Sequence, residues 1–211
     1  MEISVMEKIL DKNERLAAEL REKMTKSRVF CVNILGSPGA GKTTLLSKLI
    51  PMLSKKSFVI EGDIQSDIDA QTLEEAGIPA VQINTGGACH LEASQIEAAL
   101  ADMPQDTGFV FVENIGNLVC PAEFLIGEHV KILIATVTEG SDKPYKYPLA
   151  FEKADLIILN KVDLVPYVAF DREFFTKGLR KLNEKVEILE VSGINAVGVE
   201  EVAHWLEKAR L

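Results

Sequence analysis

The octapeptide Gly36-Ser-Pro-Gly-Ala-Gly-Lys-Thr43 constrains this chain more than any other stretch, because it fits G-x-x-x-x-G-K-[ST] and stands between a strand-like run and a helical pattern. Residues 29–35 before it are nearly all apolar or β-branched, and residues 43–53 after it repeat at helical spacing. Gly36, Gly39 and Gly41 let the backbone curl so that successive N–H groups converge on a phosphate, and the helix behind them adds the positive end of its dipole. Ser37, Pro38, Ala40 and Thr44 belong to the same cradle. Lys42 is expected to reach the β and γ phosphates, and the Thr43 hydroxyl to hold Mg²⁺.

The alternation continues to the end of the chain. Residues 58–60, 81–83, 109–112, 130–137, 156–159 and 186–191 read as strands, with helical patterns at 68–76, 91–100, 170–182 and 199–209. Strands that are continuous apolar runs are buried on both faces, so the expected fold is α/β, a P-loop NTPase with a mostly parallel sheet flanked by helices. Ahead of it, residues 3–26 place Met6, Ile9, Leu10, Leu16, Ala17, Leu20 and Met24 at helical spacing. This N-terminal amphipathic helix is expected to pack on its own domain; docking on a partner is the other reading. The domain reading is an N-terminal helix at 1–27 and one nucleotide-binding domain at 28–211. A chain of 211 residues can bury a core without staples.

Asn160-Lys-Val-Asp163 leaves the run 156–159 at its carboxyl end, where open α/β sheets bind ligands. The Asp163 carboxylate can accept from both N1–H and the 2-amino group of guanine, an arrangement adenine cannot satisfy. Asn160 would bond the base edge or brace the phosphate loop, and the Lys161 stem would cover the base plane. Ser192 and Gly193, after the last strand-like run, offer a further loop against the base. The expected nucleotide is GTP.

Glu113-Asn-Ile-Gly116 follows the run 109–112 and offers a carboxylate for Mg²⁺ beside a glycine whose N–H meets the γ-phosphate. Many phosphate-loop proteins have Asp-x-x-Gly there, so Glu113 is a departure. Asp63, Asp67 and Asp69 lie in a polar segment that would order around Mg²⁺ and the γ-phosphate and relax after hydrolysis. Asp63 reads as a site residue; for Asp67, capping of the helix at 68–76 stays open beside the switch role.

Three Cys cannot all pair within one chain, and the N-terminus carries charge where a signal peptide would be apolar, so a reducing cytoplasm is expected. Thirty-two acidic against 23 basic side chains give a net charge of −9, which disfavours nucleic acid as a partner, and no apolar run is long enough to span a membrane. Cys31 lies inside the first strand and reads as a small buried hydrophobe. Cys89-His90 and Cys120 instead follow loops. Two thiolates and an imidazole suit Zn²⁺ or Ni²⁺, but a closed tetrahedral site needs four ligands, which two copies related by a twofold axis would supply. Adjacent Cys and His are not a Cys-x-x-Cys spacing, so a metal role stays open on spacing alone. His129 and His204 have no partner at ligand spacing and read as packing or surface residues.

From Val29 onward the chain resembles the HypB family of SIMIBI-class GTPases, which assist nickel insertion during maturation of [NiFe]-hydrogenase. The motifs that carry the likeness occur in the family's order: the octapeptide at 36–43, Thr85-Gly-Gly-Ala-Cys-His-Leu91, Glu113-Asn-Ile-Gly-Asn-Leu-Val-Cys-Pro121 and Asn160-Lys-Val-Asp163. The resemblance implies a GTP-dependent homodimer with an intersubunit metal site of Cys89, His90 and Cys120, and switch carboxylates at Asp63 and Asp67. It also implies two partners, a HypA-type nickel chaperone and the hydrogenase large-subunit precursor. Residues 1–26 hold neither Cys nor a His-rich run, so no separate nickel site or nickel store is expected there.

Hydrolysis would be in-line attack of water on the γ-phosphate, with Lys42 and Mg²⁺ spreading charge and Asp63 or Asp67 positioning the water. Three alternatives are distinguishable. UreG-type urease accessory GTPases share the architecture but carry Cys-Pro-His. A small-molecule kinase needs an acceptor pocket, and a passive metal carrier would ignore the nucleotide state.

Overall fold

The computed structural model describes residues 5–63 and 68–210, and the side chains of residues 10–63 and 69–210 within them. In chain order the elements are α1 (Val5–Lys26), β1 (Phe30–Gly36), α2 (Lys42–Leu49), β2 (Lys56–Asp63), α3 (Ile68–Glu75), β3 (Ala80–Asn84), α4 (Ala93–Ala99) and β4 (Thr107–Glu113). They continue with α5 (Cys120–Glu123), β5 (Val130–Thr136), α6 (Lys143–Lys146), α7 (Pro148–Lys153), β6 (Leu156–Asn160), α8 (Arg172–Leu182), β7 (Glu187–Glu190) and α9 (Val199–Arg210).

The strands form one sheet in the order β3-β2-β4-β1-β5-β6-β7, and every pairing is parallel. This is the α/β architecture the apolar runs call for. The chain builds β2 and β3 to one side of β1, inserts β4 beside β1, then continues with β5 to β7 on the other side. The order therefore reverses around β1, and a ligand crevice opens at the carboxyl ends there.

Alternation sorts the side chains. Val32, Ile34, Phe109, Phe111, Ile132 and Ile134 face α2 and α9, packing on Leu45, Leu46, Leu49, Val202 and Leu206. On the other face Cys31, Ile60, Val110 and Val112 pack under α1 and α4, and Leu133 and Leu159 pack against Phe151 of α7 and Phe175 of α8. Asn33 and Lys131 are buried polar exceptions within these strands.

Local chemistry sets where elements begin and end. The helix expected over 43–53 stops at Leu49 and tightens into a 3₁₀ turn at Ile50–Met52, because Pro51 has no N–H to continue the α ladder. α4 starts at Ala93 behind a capping box of Glu92 and Gln95, and α8 starts behind Asp171, whose side chain accepts from the Phe174 N–H. α1 packs on its own sheet through Ala17, Leu20 and Met24, and the buried Asn13 ties it to Leu125 and Ala93. Among the described residues no helix is long and apolar enough to cross a membrane.

Candidate functional site

The loop between β1 and α2 turns on Gly39 and Gly41, at φ 71° and 86°. Gly41 is constrained twice, since a Cβ there would lie 2.8 Å from Asn160 Nδ2. Asn160, buried at the end of β6, donates to the Ala40 carbonyl at 2.9 Å and accepts from the Gly193 N–H at 3.1 Å. Of its two sequence-based roles, bracing the phosphate loop is the one these contacts occupy. Lys161 adopts φ 61° and its ammonium donates to the Gly39 carbonyl at 2.7 Å, so its stem runs from the tetrapeptide back to the loop.

These elements enclose a cavity of about 490 Å³. Gly39, Gly41, Lys42, Thr43 and Thr44 line one end with Glu113 and Asp69; Asn160, Lys161, Asp163, Gly193 and Ile194 line the other. Asp163 Oδ1 is buried with no hydrogen-bond partner among the described residues, an acceptor left for a ligand. Ser192 is buried behind the wall, bridged to Val197, and leaves Gly193 and Ile194 to face the cavity. Gly36, Ser37, Pro38 and Ala40 form the turn behind the lining residues, with the Ala40 N–H donating to Ser37. Gly116 is off the wall but packs tightly on the loop, where a Cβ would meet Pro38 at 2.8 Å.

At the acidic end Thr43 Oγ1 donates to Glu113 Oε1 at 2.9 Å, and Lys42 Nζ lies 3.7 Å from the same oxygen. Glu113 Oε2 is buried and unpartnered among the described residues. Burial pushes the Glu113 carboxyl up to about 7, against the opposing pull of Lys42. Thr43 and this free oxygen form a hard oxygen donor set that fits Mg²⁺. Asp63 ends β2, where its carbonyl accepts the Thr85 N–H and ties down the loop that carries Cys89. Asp67 lies outside the described residues.

Glu61 was not singled out by the motifs. It sits beside Glu113 in the β2–β4 register, on the same face of the sheet, and burial together with Glu113 raises it to about 8. Asp69, which lines the cavity, was legible only as a neighbour of Asp67.

A second site lies at the same sheet edge. The loops after β3 and β4 bring one ligand atom each from Cys89, His90 and Cys120 within 4.8 Å of one another. The Cys89 Sγ lies 3.0 Å from the Cys120 Sγ and 3.4 Å from His90 Nδ1. Cys120 opens α5 and Cys89 is exposed. The neighbouring Cys120 sulfur pushes the Cys89 thiol up, while burial lowers His90 and keeps the imidazole in its neutral, ligating form. Two sulfurs and a nitrogen suit Zn²⁺ or Ni²⁺ and leave a fourth position open. Cys31 is buried and His129 is engaged in packing; neither joins the cluster.

The family model described as CobW/HypB/UreG, nucleotide-binding domain, matches residues 30–190. A hydrogenase maturation factor HypB of Azotobacter vinelandii is 45% identical over 211 residues, covering 99% of this chain and 70% of that protein. The crystal structure of HypB from Helicobacter pylori in complex with nickel superposes with a TM-score of 0.90 at 37% identity, covering 94% of this chain and 95% of that one. The crystal structure of the hydrogenase maturation factor HypB from Archaeoglobus fulgidus gives 0.88 at 35% identity, over 96% and 100%.

Proposed function

The chain belongs to the CobW/HypB/UreG family, within its HypB branch, and on that premise we propose that it is a GTP-hydrolysing metallochaperone that assists nickel insertion into [NiFe]-hydrogenase. The observation that carries the reading is one cavity with Lys42 and Thr43 at one end and Asp163, whose Oδ1 has no partner among the described residues, at the other. The loop amides and Lys42 receive the phosphates, and Asp163 selects guanine by accepting two hydrogen bonds from its edge. The Lys161 stem covers the base while Asn160 holds the loop in shape. Thr43 and Glu113 hold Mg²⁺, which supplies charge neutralisation at the phosphates. Asp63, or Asp67 in the adjoining segment, orients the attacking water.

Cys89, His90 and Cys120 bind Ni²⁺ or Zn²⁺, with the remaining coordination supplied by a second copy in a homodimer that GTP favours. Val119 and Leu125, both exposed beside this site, offer apolar surface for such a contact. Nickel would pass between a HypA-type chaperone, this protein and the hydrogenase large-subunit precursor. Three cysteines, which cannot all pair within one chain, favour a reducing cytoplasm as the place of work.

The test is phosphate release from GTP with no added acceptor, beside mass in solution with GTP analogue, GDP, Ni²⁺ and Zn²⁺. Release without an acceptor, abolished by Lys42→Ala while Zn²⁺ binding persists, and a dimer that Cys89→Ala no longer couples to metal, support the reading. Release only with a small-molecule acceptor would make the protein a kinase instead.

A further inference from the structure

The two sites share a segment. Residues 114–126 run from the acidic end of the nucleotide cavity, past Gly116 on the phosphate loop, to Cys120 and then Phe124, whose ring stacks on His90 at 3.7 Å. Both ends of this segment are fastened to one buried polar network beneath α1 and α5. At the start, Asn114 Nδ2 donates to Asn33 Oδ1 at 3.1 Å, and Asn33 Nδ2 donates to Glu128 Oε1 at 3.3 Å. At the far end, Glu128 Oε2 accepts the Ile126 N–H at 2.8 Å. Lys131 Nζ lies 3.4 Å from Glu128 Oε1 and donates to the Ala122 and Phe124 carbonyls at 2.9 and 3.3 Å. All four side chains are buried.

A half-satisfied buried network is costly, so these groups hold or rearrange together. We propose that Asn33, Glu128 and Lys131 are positioning residues that make 114–126 a single lever, so that the nucleotide state at Asn114 and Gly116 is read out as metal affinity at Cys120 and His90. The inference rests on the proposed function and extends it from two sites to the brace between them. Neither Asn33 nor Lys131 lines the nucleotide cavity or belongs to the Cys and His cluster, so removing the brace leaves both sites built. Without it, the Asn114 end follows the nucleotide while the Ala122–Phe124 end no longer does. Coupling is reciprocal, so metal must also shift nucleotide affinity by the same factor.

The experiment compares Zn²⁺ affinity, by competition with a chromogenic chelator, in the presence of a slowly hydrolysed GTP analogue and of GDP. In wild type the two affinities should differ about 10-fold, within the usual range of coupling between sites. Asn33→Leu, and separately Glu128→Gln with Lys131→Met, should bring the ratio within about 2-fold of one while the protein still binds Zn²⁺ and GTP. A folded variant that keeps the wild-type ratio overturns the inference, as does a wild-type ratio of one. Should both variants fail to fold, hydrogen exchange on wild type decides: residues 114–118 and 120–128 must change protection together between the two nucleotides, and a change confined to 114–118 overturns it. Loss of Zn²⁺ or guanine nucleotide binding by wild type itself would instead remove the proposed function underneath.

Discussion

Thr43 and Glu113 meet at the base of the phosphate loop, the hydroxyl donating to Oε1 at 2.9 Å, while the second Glu113 oxygen stays buried and unpartnered among the described residues. A strand end and a helix start thus present two oxygens to one point. Glu113→Gln keeps the shape and removes the charge, and should lower Mg²⁺-dependent GTP hydrolysis by about 100-fold, the scale of losing one electrostatic stabiliser. Binding of GDP in the presence of a chelator should be unchanged. Phosphate release against Mg²⁺ concentration is the measurement.

Asp163 carries a vacant acceptor at the far end of the cavity. Asp163→Asn replaces an acceptor by a donor, so GTP affinity should fall about 10- to 100-fold, as expected for hydrogen bonds to a charged partner. Affinity for xanthosine triphosphate should rise, because its 2-oxo group accepts from the new amide. Competition binding with both nucleotides checks the exchange.

The thiol cluster should be separable from the nucleotide. Cys89→Ala or Cys120→Ala should weaken Zn²⁺ binding by more than the 10- to 100-fold that changes in a ligand's outer partners cost, since a ligand itself is lost. GTP binding measured by calorimetry should remain.

His129 ties α1 to the sheet. Its Nδ1 accepts the Cys31 N–H at 2.9 Å, and Nε2 lies 2.8 Å from Thr25 Oγ1, which itself donates to the Arg21 carbonyl. The hydroxyl's proton is thus committed, and Nε2 is the donor. The ring stacks on Phe30, with Glu128 on its own loop and Arg21 on α1 nearby. Burial, aided by Arg21, lowers its pKa, so the folded state prefers neutral imidazole. Stability from this group is therefore present above the ordinary histidine value of about 6.5 and is lost as pH falls through the lowered value. Between pH 7 and 5 the melting temperature should drop less in His129→Asn than in wild type, by about 2–4 °C, readable by calorimetry.

The phosphate loop and the tetrapeptide were legible because each is a contiguous run whose strand and helix flanks are themselves readable. Pro51 was in view, yet the pattern over 43–53 read through it. Glu61 stayed hidden because its partner Glu113 lies on a neighbouring strand, fifty-odd positions along the chain, and only the β2–β4 register joins them. The same holds for Asn33, Glu128 and Lys131, which look like interruptions of apolar runs until the fold stacks them. Cys89 and Cys120 follow β3 and β4, strands that flank β2 in the sheet, so their closeness comes from topology that residue spacing does not encode. Residue type and loop position marked them as candidate ligands, and the family resemblance is what joined them in one site.

In the proposed function, one cavity grips a triphosphate by loop amides and chooses its purine through Asp163. Titration calorimetry of wild type with non-hydrolysable GTP and ATP analogues in Mg²⁺ tests it most directly. The prediction is tight binding of the guanine analogue, favoured over adenine by about 100-fold or more from the paired carboxylate alone. No heat with the guanine analogue, or equal affinity for both, would contradict it.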